Sequence, residues 1–269
     1  MVNAFSFCLY GPEKPIYYDG LFENIDGIRS FFPDWVVYVW LGADVPEAIR
    51  TRLANYPSVR IRETHVLGAV NMIHRFYAID DPDVDIMMVR DADSRIHWKD
   101  RWAIREFLRQ PQFIAHTIRD HRDHTALIMG GLWGLRKSAG LNIHAEYASY
   151  QDDTARPNRL GHDQNFLGDV LYGKIVQGLL VHHSNNRNYP GELAVAFPFA
   201  WSSGIFCGQR VDPGYGEPAR PLVSRILNLP EAVIRVRDAP APPAAPAPTP
   251  ALPHLRGPPP NLLTFLNRK

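Results

Sequence analysis

Between Asp85 and Lys99 the sequence reads DIMMVRDADSRIHWK. The apolar run Ile86-Met87-Met88-Val89 stops abruptly at Arg90-Asp91-Ala92-Asp93-Ser94-Arg95. A short apolar run that breaks into charge reads as a strand buried on both faces, whose C-terminal end opens into a polar crevice. In open α/β sheets that end is where ligands bind. Two carboxylates one residue apart can both reach a hard divalent cation, and flanking arginines offer charge to phosphates. The spacing alone carries little, because Asp81/Asp83 and Asp83/Asp85 repeat it. Only Asp91/Asp93 follows an apolar strand, so position singles it out.

The segments before this strand supply its expected neighbours. Ala4–Tyr10 (AFSFCLY) reads as a first buried strand, broken by Gly11-Pro12 into a loop. Apolar residues at Leu21, Phe22, Ile25, Ile28 and Phe31/Phe32 recur in steps of three and four and predict a helix over Gly20–Phe32, ended by Pro33. Trp35–Leu41 is the second strand. Pro46–Asn55 follows as a helix with proline early, where its missing N–H costs little. Val59–Glu63 is a short third strand, and Val66–Ile79 a helix carrying His74 and Arg75. This alternation predicts a Rossmann-like, doubly wound α/β domain with a mixed, mostly parallel sheet flanked by helices. No G-x-G-x-x-G follows the first strand, which argues against a dinucleotide-binding site.

Beyond Asp93, Trp98–Leu108 reads as a helix, and Phe113–Ile118 and Leu127–Leu135 as strands around the charged loop Arg119–His124. Met129–Gly134 holds three glycines in six residues, and glycines in a strand often mark close backbone approach to a ligand. Gly161–Leu167 opens another helix with Asp163-Gln164, and Leu179–Ser184 is a late strand ending in His182-His183. Ala239–Pro260 packs ten of the chain's 24 prolines into 22 residues, so it is expected to be an extended linker or tail. The expected division is a domain over residues 1–237, the Pro/Ala-rich stretch over 238–260, and a short apolar segment over 261–269 that docks on the domain, binds a partner or frays.

A formal net charge of +1 leaves no electrostatic footprint for nucleic acid. No basic n-region with an apolar core opens the chain, and no apolar stretch approaches the ~18 residues of a spanning helix. The two cysteines, Cys8 and Cys207, make no disulfide framework or zinc pattern and are expected as buried thiols. A cytoplasmic location is the expectation.

FSFCLYG, Tyr17/Tyr18, Asn24, FFPDWVVYVW, HRF with Arg75, VRDADSR, IRDH, GGLWG, HDQNFL and VHHS follow one another in this order. In that order the chain resembles GT-A-fold, sugar-nucleotide-dependent glycosyltransferases with a D-x-D motif, of the kind found in bacterial and large-DNA-virus surface-glycan pathways. The resemblance covers residues 3–210. It implies metal-dependent transfer of a sugar from a nucleoside-diphosphate sugar to a glycan or other hydroxyl acceptor. In that chemistry Mn²⁺ or Mg²⁺ stabilises the departing diphosphate as a Lewis acid. Asp93 is the first expected ligand and Asp91 the second, the latter touching ribose or acting through water. His182 or His183 would add a nitrogen ligand, although relatives place an acidic residue after the late histidine where this chain has His183 and Ser184.

Arg75, Arg90 and Arg95 are candidates to pair with donor phosphates through their planar forks. Tyr10, Gly11 and Tyr17 are expected near the nucleobase, and Gly130, Gly131 and Trp133 along the sugar or acceptor pocket. Asp163 is either the base that deprotonates the acceptor in an inverting reaction or, in a retaining one, a partner of sugar hydroxyls with Gln164 beside the anomeric carbon. Two other readings stay open. One is a sugar nucleotidyltransferase or another metal-dependent nucleotide enzyme, although GPEKPIYY after the first strand lacks the Gly-rich basic signature of the former. The other is a non-catalytic glycan-binding or scaffold protein that uses the Pro-rich tail to dock a partner.

Overall fold

The computed structural model describes residues 1–150, 161–185, 187–198 and 206–211, all within one compact unit, Met1–Val233. The expected tail and its boundary near residue 237 lie outside the described residues.

The strands are β1 (Val2–Leu9), β2 (Val36–Leu41), β3 (Val59–Glu63), β4 (Val84–Arg90), β5 (Ala115–Arg119), β6 (Leu132–Arg136), β7 (Leu179–His183) and β8 (Leu193–Ala196). Among the described residues they form one eight-stranded sheet in the order β3-β2-β1-β4-β6-β5-β7-β8. Every pairing is parallel except those of β6, which runs against both β4 and β5. The reversal has a direct consequence for the site. Arg90 at the end of β4 pairs with Leu132 at the start of β6, so the chain entering β6 lies beside the chain leaving β4.

The helices cover both faces. On one side α1 (Pro15–Phe31) and α3 (Trp98–Leu108) bury Leu21, Phe22, Ile25, Ile104 and Phe107 against Phe5, Val39, Ile86 and Met88. Proline opens α1 at a position where its missing N–H is not needed. On the other side lie the 3₁₀ helix Gly68–Asp80, α4 (Ile143–Ala148), α5 (His162–Phe166) and the helical turns that follow α5. They pack Ile73, Phe76, Ile143 and Phe166 onto Ala4, Met87, Val89 and Trp133. β4 is therefore covered on both faces, as its unbroken apolar run requires. The remaining helix, α2 (Glu47–Ala54), connects β2 to β3. No helix among the described residues is long and apolar enough to cross a membrane.

The helix expected over Val66–Ile79 is present but wound as a 3₁₀ helix. Asn71 explains the start: its side-chain amide donates to the carbonyls of Val66 and Gly68, each at 3.0 Å. Such local bonds compete with the helical ladder. Helix α4 and strand β8 were not expected from the sequence, and β6 begins later than the run Leu127–Leu135 suggested.

Candidate active site

The chain leaving β4 turns immediately, and α1 fixes the turn from beneath. Asn24, buried in α1, donates from its Nδ2 to the Ser94 carbonyl at 2.7 Å and accepts the Ile96 N–H on its Oδ1 at 2.9 Å. A Cβ on Gly20 would collide with the Ala92 carbonyl, so α1 lies against the loop as closely as its backbone allows. From the other end of the chain, residues 206–211 add a second clamp. Ser94 bridges to Arg210, and the Val211 N–H donates to the Asp93 carbonyl at 2.8 Å. Nothing near residue 210 resembles a motif, so this last contact has no signal in the sequence.

The polar side chains converge at Arg75. It is 6% exposed, and its guanidinium pairs with the Asp91 carboxylate and, at 2.8 Å, with Oδ2 of Asp163. Burial works against its charge, but Asp91 and Asp163 outweigh that cost and raise its pKa further. The Asp163 side chain is 1% exposed, and its other oxygen, Oδ1, is buried with no hydrogen-bond partner among the described residues. A buried acceptor left unpaired costs about 1–3 kcal/mol, so such an atom marks a place where a ligand group belongs. Helix α5 begins at Gly161, which adopts φ 90° and thereby sets Asp163 in its first turn.

Gly130 and Gly131 line the same space. A Cβ on Gly131 would strike the Asp91 carboxylate, and one on Gly130 would sit 3.4 Å from both the Arg75 guanidinium and Asp163. The Gly130 N–H donates to Oε1 of Gln164 at 3.3 Å, which orients the rest of that amide. At the end of β1, Tyr10 packs against Gly42, and burial raises its phenol pKa with Arg75 and Asp163 in its field. Gly11 turns with φ 80°, and its carbonyl accepts the Tyr18 hydroxyl at 2.8 Å. Cys8 stands beneath this group, and burial pushes its thiol up to about 12, so it is a neutral wall.

Asp93 completes the crevice. Burial first, and the Asp91 charge second, raise its carboxyl pKa, with Arg210 and Arg75 partly offsetting. A carboxylate whose charge its neighbour disfavours, beside an Asp91 side chain that is 43% exposed, gives a donor set that suits a hard divalent cation.

Four expectations need correction. Arg90 does not reach this crevice. It shares the strand face of Ile86 and Met88, points under α3, and donates from Nε to Asp100 at 3.0 Å in a pair where both side chains are 1% exposed. Arg95 is likewise engaged locally, with Glu23 at 2.6 Å and the carbonyls of Ala92 and Ser94. His182 and His183 lie on β7, separated from β4 by β6 and β5, which at a strand spacing of ~4.8 Å puts them roughly 14 Å away. His182 is bonded to His116 at 2.8 Å, packs on Trp102 and Phe197, and is held neutral by burial, its pKa lowered to about 3. His183 is buried at the end of the same strand, beside Arg119 and Glu192. On β7 they line a different part of the sheet from the Asp91/Asp93 turn at the end of β4. Trp133 is fully buried against Phe76 and belongs to the core.

Elsewhere His97, Asp100 and Cys207 bring ligand-type atoms within 4.8 Å of one another. Nδ1 of His97 accepts the Lys99 N–H at 3.2 Å, which places the ring proton on Nε2, and Asp100 already holds Arg90. The imidazole therefore has no free lone pair to offer a cation, and burial keeps Cys207 a neutral thiol.

No protein-family model matches the chain, and no curated protein matches it. Solved structures do. A glycosyltransferase involved in the glycosylation of the major capsid of PBCV-1 is 15% identical, with a TM-score of 0.46 over 67% of this chain and 81% of its own. A mannosyltransferase from Pyrobaculum calidifontis, in complex with GDP-Man and Mn²⁺, is 16% identical, with a TM-score of 0.46 over 89% of this chain and 65% of its own. A 4-diphosphocytidyl-2C-methyl-D-erythritol synthase from Anaerococcus prevotii is 10% identical, with a TM-score of 0.44 over 68% of this chain and 87% of its own. With its mixed, mostly parallel sheet, its one reversed strand and a crevice at the end of β4, the chain has a Rossmann-like α/β fold.

Proposed function

We propose that the protein is a metal-dependent glycosyltransferase that moves a sugar from a nucleoside-diphosphate sugar to a hydroxyl acceptor on a glycan. The observation that carries this reading is the unpaired, buried Oδ1 of Asp163, set beside Arg75, Gly130 and the Asp91/Asp93 loop in one crevice. A sugar hydroxyl is the neutral donor that such an oxygen accepts without disturbing the pair with Arg75. Asp91 and Asp93 would hold Mn²⁺ or Mg²⁺, which when bound supplies Lewis-acid stabilisation of the diphosphate leaving group.

The remaining roles fall to the chain's own side chains. Arg75 keeps Asp91 and Asp163 fixed relative to each other, so donor phosphate and donor sugar are positioned by one guanidinium. Gln164, anchored through Gly130, presents its amide to the sugar side of the crevice. Gly130 and Gly131 leave room for the sugar where a side chain would meet Asp91, Arg75 or Asp163. Tyr10 and Gly11 border the nucleotide end.

Calorimetry with UDP-, GDP- and TDP-sugars, with and without Mn²⁺, tests the reading. The expected result is metal-dependent binding of at least one donor, abolished by Asp93→Ala in protein of unchanged melting temperature. Absence of donor binding by folded protein would leave a glycan-binding or scaffold role. Pyrophosphate release from a nucleoside triphosphate with a sugar phosphate would replace the reading with nucleotidyl transfer.

A further inference from the structure

The 3₁₀ helix Gly68–Asp80 has two working faces. Arg75 points into the crevice, while its neighbour His74 lines a separate trough of about 460 Å³ between this helix and the exposed side of β2 and β3. That volume lies in the usual range for small-ligand pockets, roughly 300–1,000 Å³. Its wall is a connected row of rings. Trp40 meets Tyr77 edge-on at 6.1 Å and His74 at 6.2 Å, Tyr77 meets His144 at 5.0 Å, and Tyr38 stacks beside Trp40 at 6.5 Å. Trp40, His74 and Tyr77 are half-buried and His144 is exposed, so the row is open to solvent from Trp40 to His144, while Tyr38 closes its other end in the core.

The charged groups around the rings are already paired within the protein, while Nδ1 of His74 is buried without a partner among the described residues. Glu63 holds Arg50 at 3.0 Å and Asp81 holds Arg62 at 3.1 Å. Asp80 accepts the Ile143 and His144 N–H groups at 2.8 Å each, capping α4, and the Trp40 indole N–H donates to Ser6 at 3.1 Å. Two consequences follow. The trough is pre-formed, because its rings are fixed by bonds that no ligand has to supply. It also offers no uncompensated charge, which disfavours a phosphate or a free cation. Arg62 and Arg60 sit 5.2 and 5.5 Å from the Tyr38 ring, so the place where a ligand cation would stack on that ring is taken.

The geometry points to a saccharide-binding site: the trough takes a neutral pyranose residue of a glycan, its apolar C–H face on the rings of Trp40 and Tyr77 and its hydroxyls toward the charged rim. A pyranose matches this wall because it has one apolar face and a polar edge, the counterpart of amphipathic aromatic side chains. The ligand class rests on the glycosyl-transfer reading; the site itself is separate from the crevice. In such a protein it would hold a distal unit of the glycan while transfer takes place elsewhere.

The test uses the ¹⁵N-labelled full chain. Its Trp40 indole N–H signal is identified by comparison with Trp40→Phe, and the protein is titrated with the methyl α- and β-glycosides of glucose, galactose, mannose and N-acetylglucosamine. At least one glycoside is expected to shift the Trp40 signal saturably. The shift should be lost in Tyr77→Ala and weakened in His144→Ala, whose exposed side chain can be removed without disturbing the core. Donor binding by calorimetry should be unchanged in both variants. The proposal is overturned if no glycoside moves the Trp40 signal, if the shift survives Tyr77→Ala, or if choline moves it in place of the glycosides. Donor binding without a glycoside shift sinks the trough alone. A glycoside shift without donor binding sinks the transfer reading and leaves the trough standing.

Discussion

Two clusters of buried charge flank the C-terminal edge of this sheet, and they are built to opposite ends. Beneath α3, Arg90 faces Asp100 at 3.0 Å, and Lys99 faces Asp120 at 3.1 Å with both side chains no more than 2% exposed. The Asp120 carboxylate also takes the Cys207 N–H at 2.8 Å. Each carboxylate there has a cation of its own and further donors. On the other face Arg75 is shared between two carboxylates, and one oxygen of Asp163 is left without a partner. Burial of charge is common to both clusters and so distinguishes neither. The pairing of the carboxylates does: among the described residues Oδ1 of Asp163 is the one carboxylate oxygen buried without a partner, and a buried acceptor of that kind calls for a donor from outside the chain.

The contrast can be broken by substitution. Asp100→Ala strands Arg90 in the core and should cost about 3–5 kcal/mol of stability, read from denaturant midpoints. Asp163→Ala leaves Arg75 its bond to Asp91, so it should cost clearly less stability while abolishing donor binding. Equal destabilisation by the two would erase the distinction. Asp93→Ala should lower turnover roughly 10²–10³-fold, the range seen when one electrostatic stabiliser is lost, with little change in melting temperature. Gly131→Ala pushes a methyl into the Asp91 carboxylate and should weaken donor binding about tenfold, or ~1.4 kcal/mol, in the same calorimetric assay.

The smallest effect is on pH dependence. The carboxyl of Asp93 is raised in the folded state, so the native chain binds its proton more tightly than the unfolded chain does. Its contribution to stability therefore falls as pH rises through the interval between the two pKa values. Asp93→Asn should remove that slope, matching the wild type at low pH and exceeding it slightly near neutrality. Urea titrations at several pH values would show the opposite sign if Asp93 were instead held ionised by a structural partner.

Most of the frame was legible in the chain because apolar runs and three-to-four spacings report burial directly. β3 and α3 span the expected residues, Val59–Glu63 and Trp98–Leu108. Asp91 and Asp163 were legible for a different reason, since Asp91 stands where an apolar run stops and Asp163 where a helix opens. Arg75 and Arg90 were not separable. A strand covered on both faces shows no alternation, so nothing in MMVRDAD says that Arg90 shares the α3 side with Met88 while Arg75 turns into the crevice. The late histidines misled because a polar residue at a strand end reads the same whether it meets solvent, a cation or another histidine. Arg210 reaches the β4 turn only through the folded chain, and no local pattern could have announced that.

The reversed course of β6 has an evolutionary reach. It places an outgoing and an incoming passage of backbone side by side at one rim, the former tied down by α1 and the latter fed by the connection over residues 120–131. Insertions in that connection can reshape what approaches the rim from outside while the anchored passage keeps its aspartates in register.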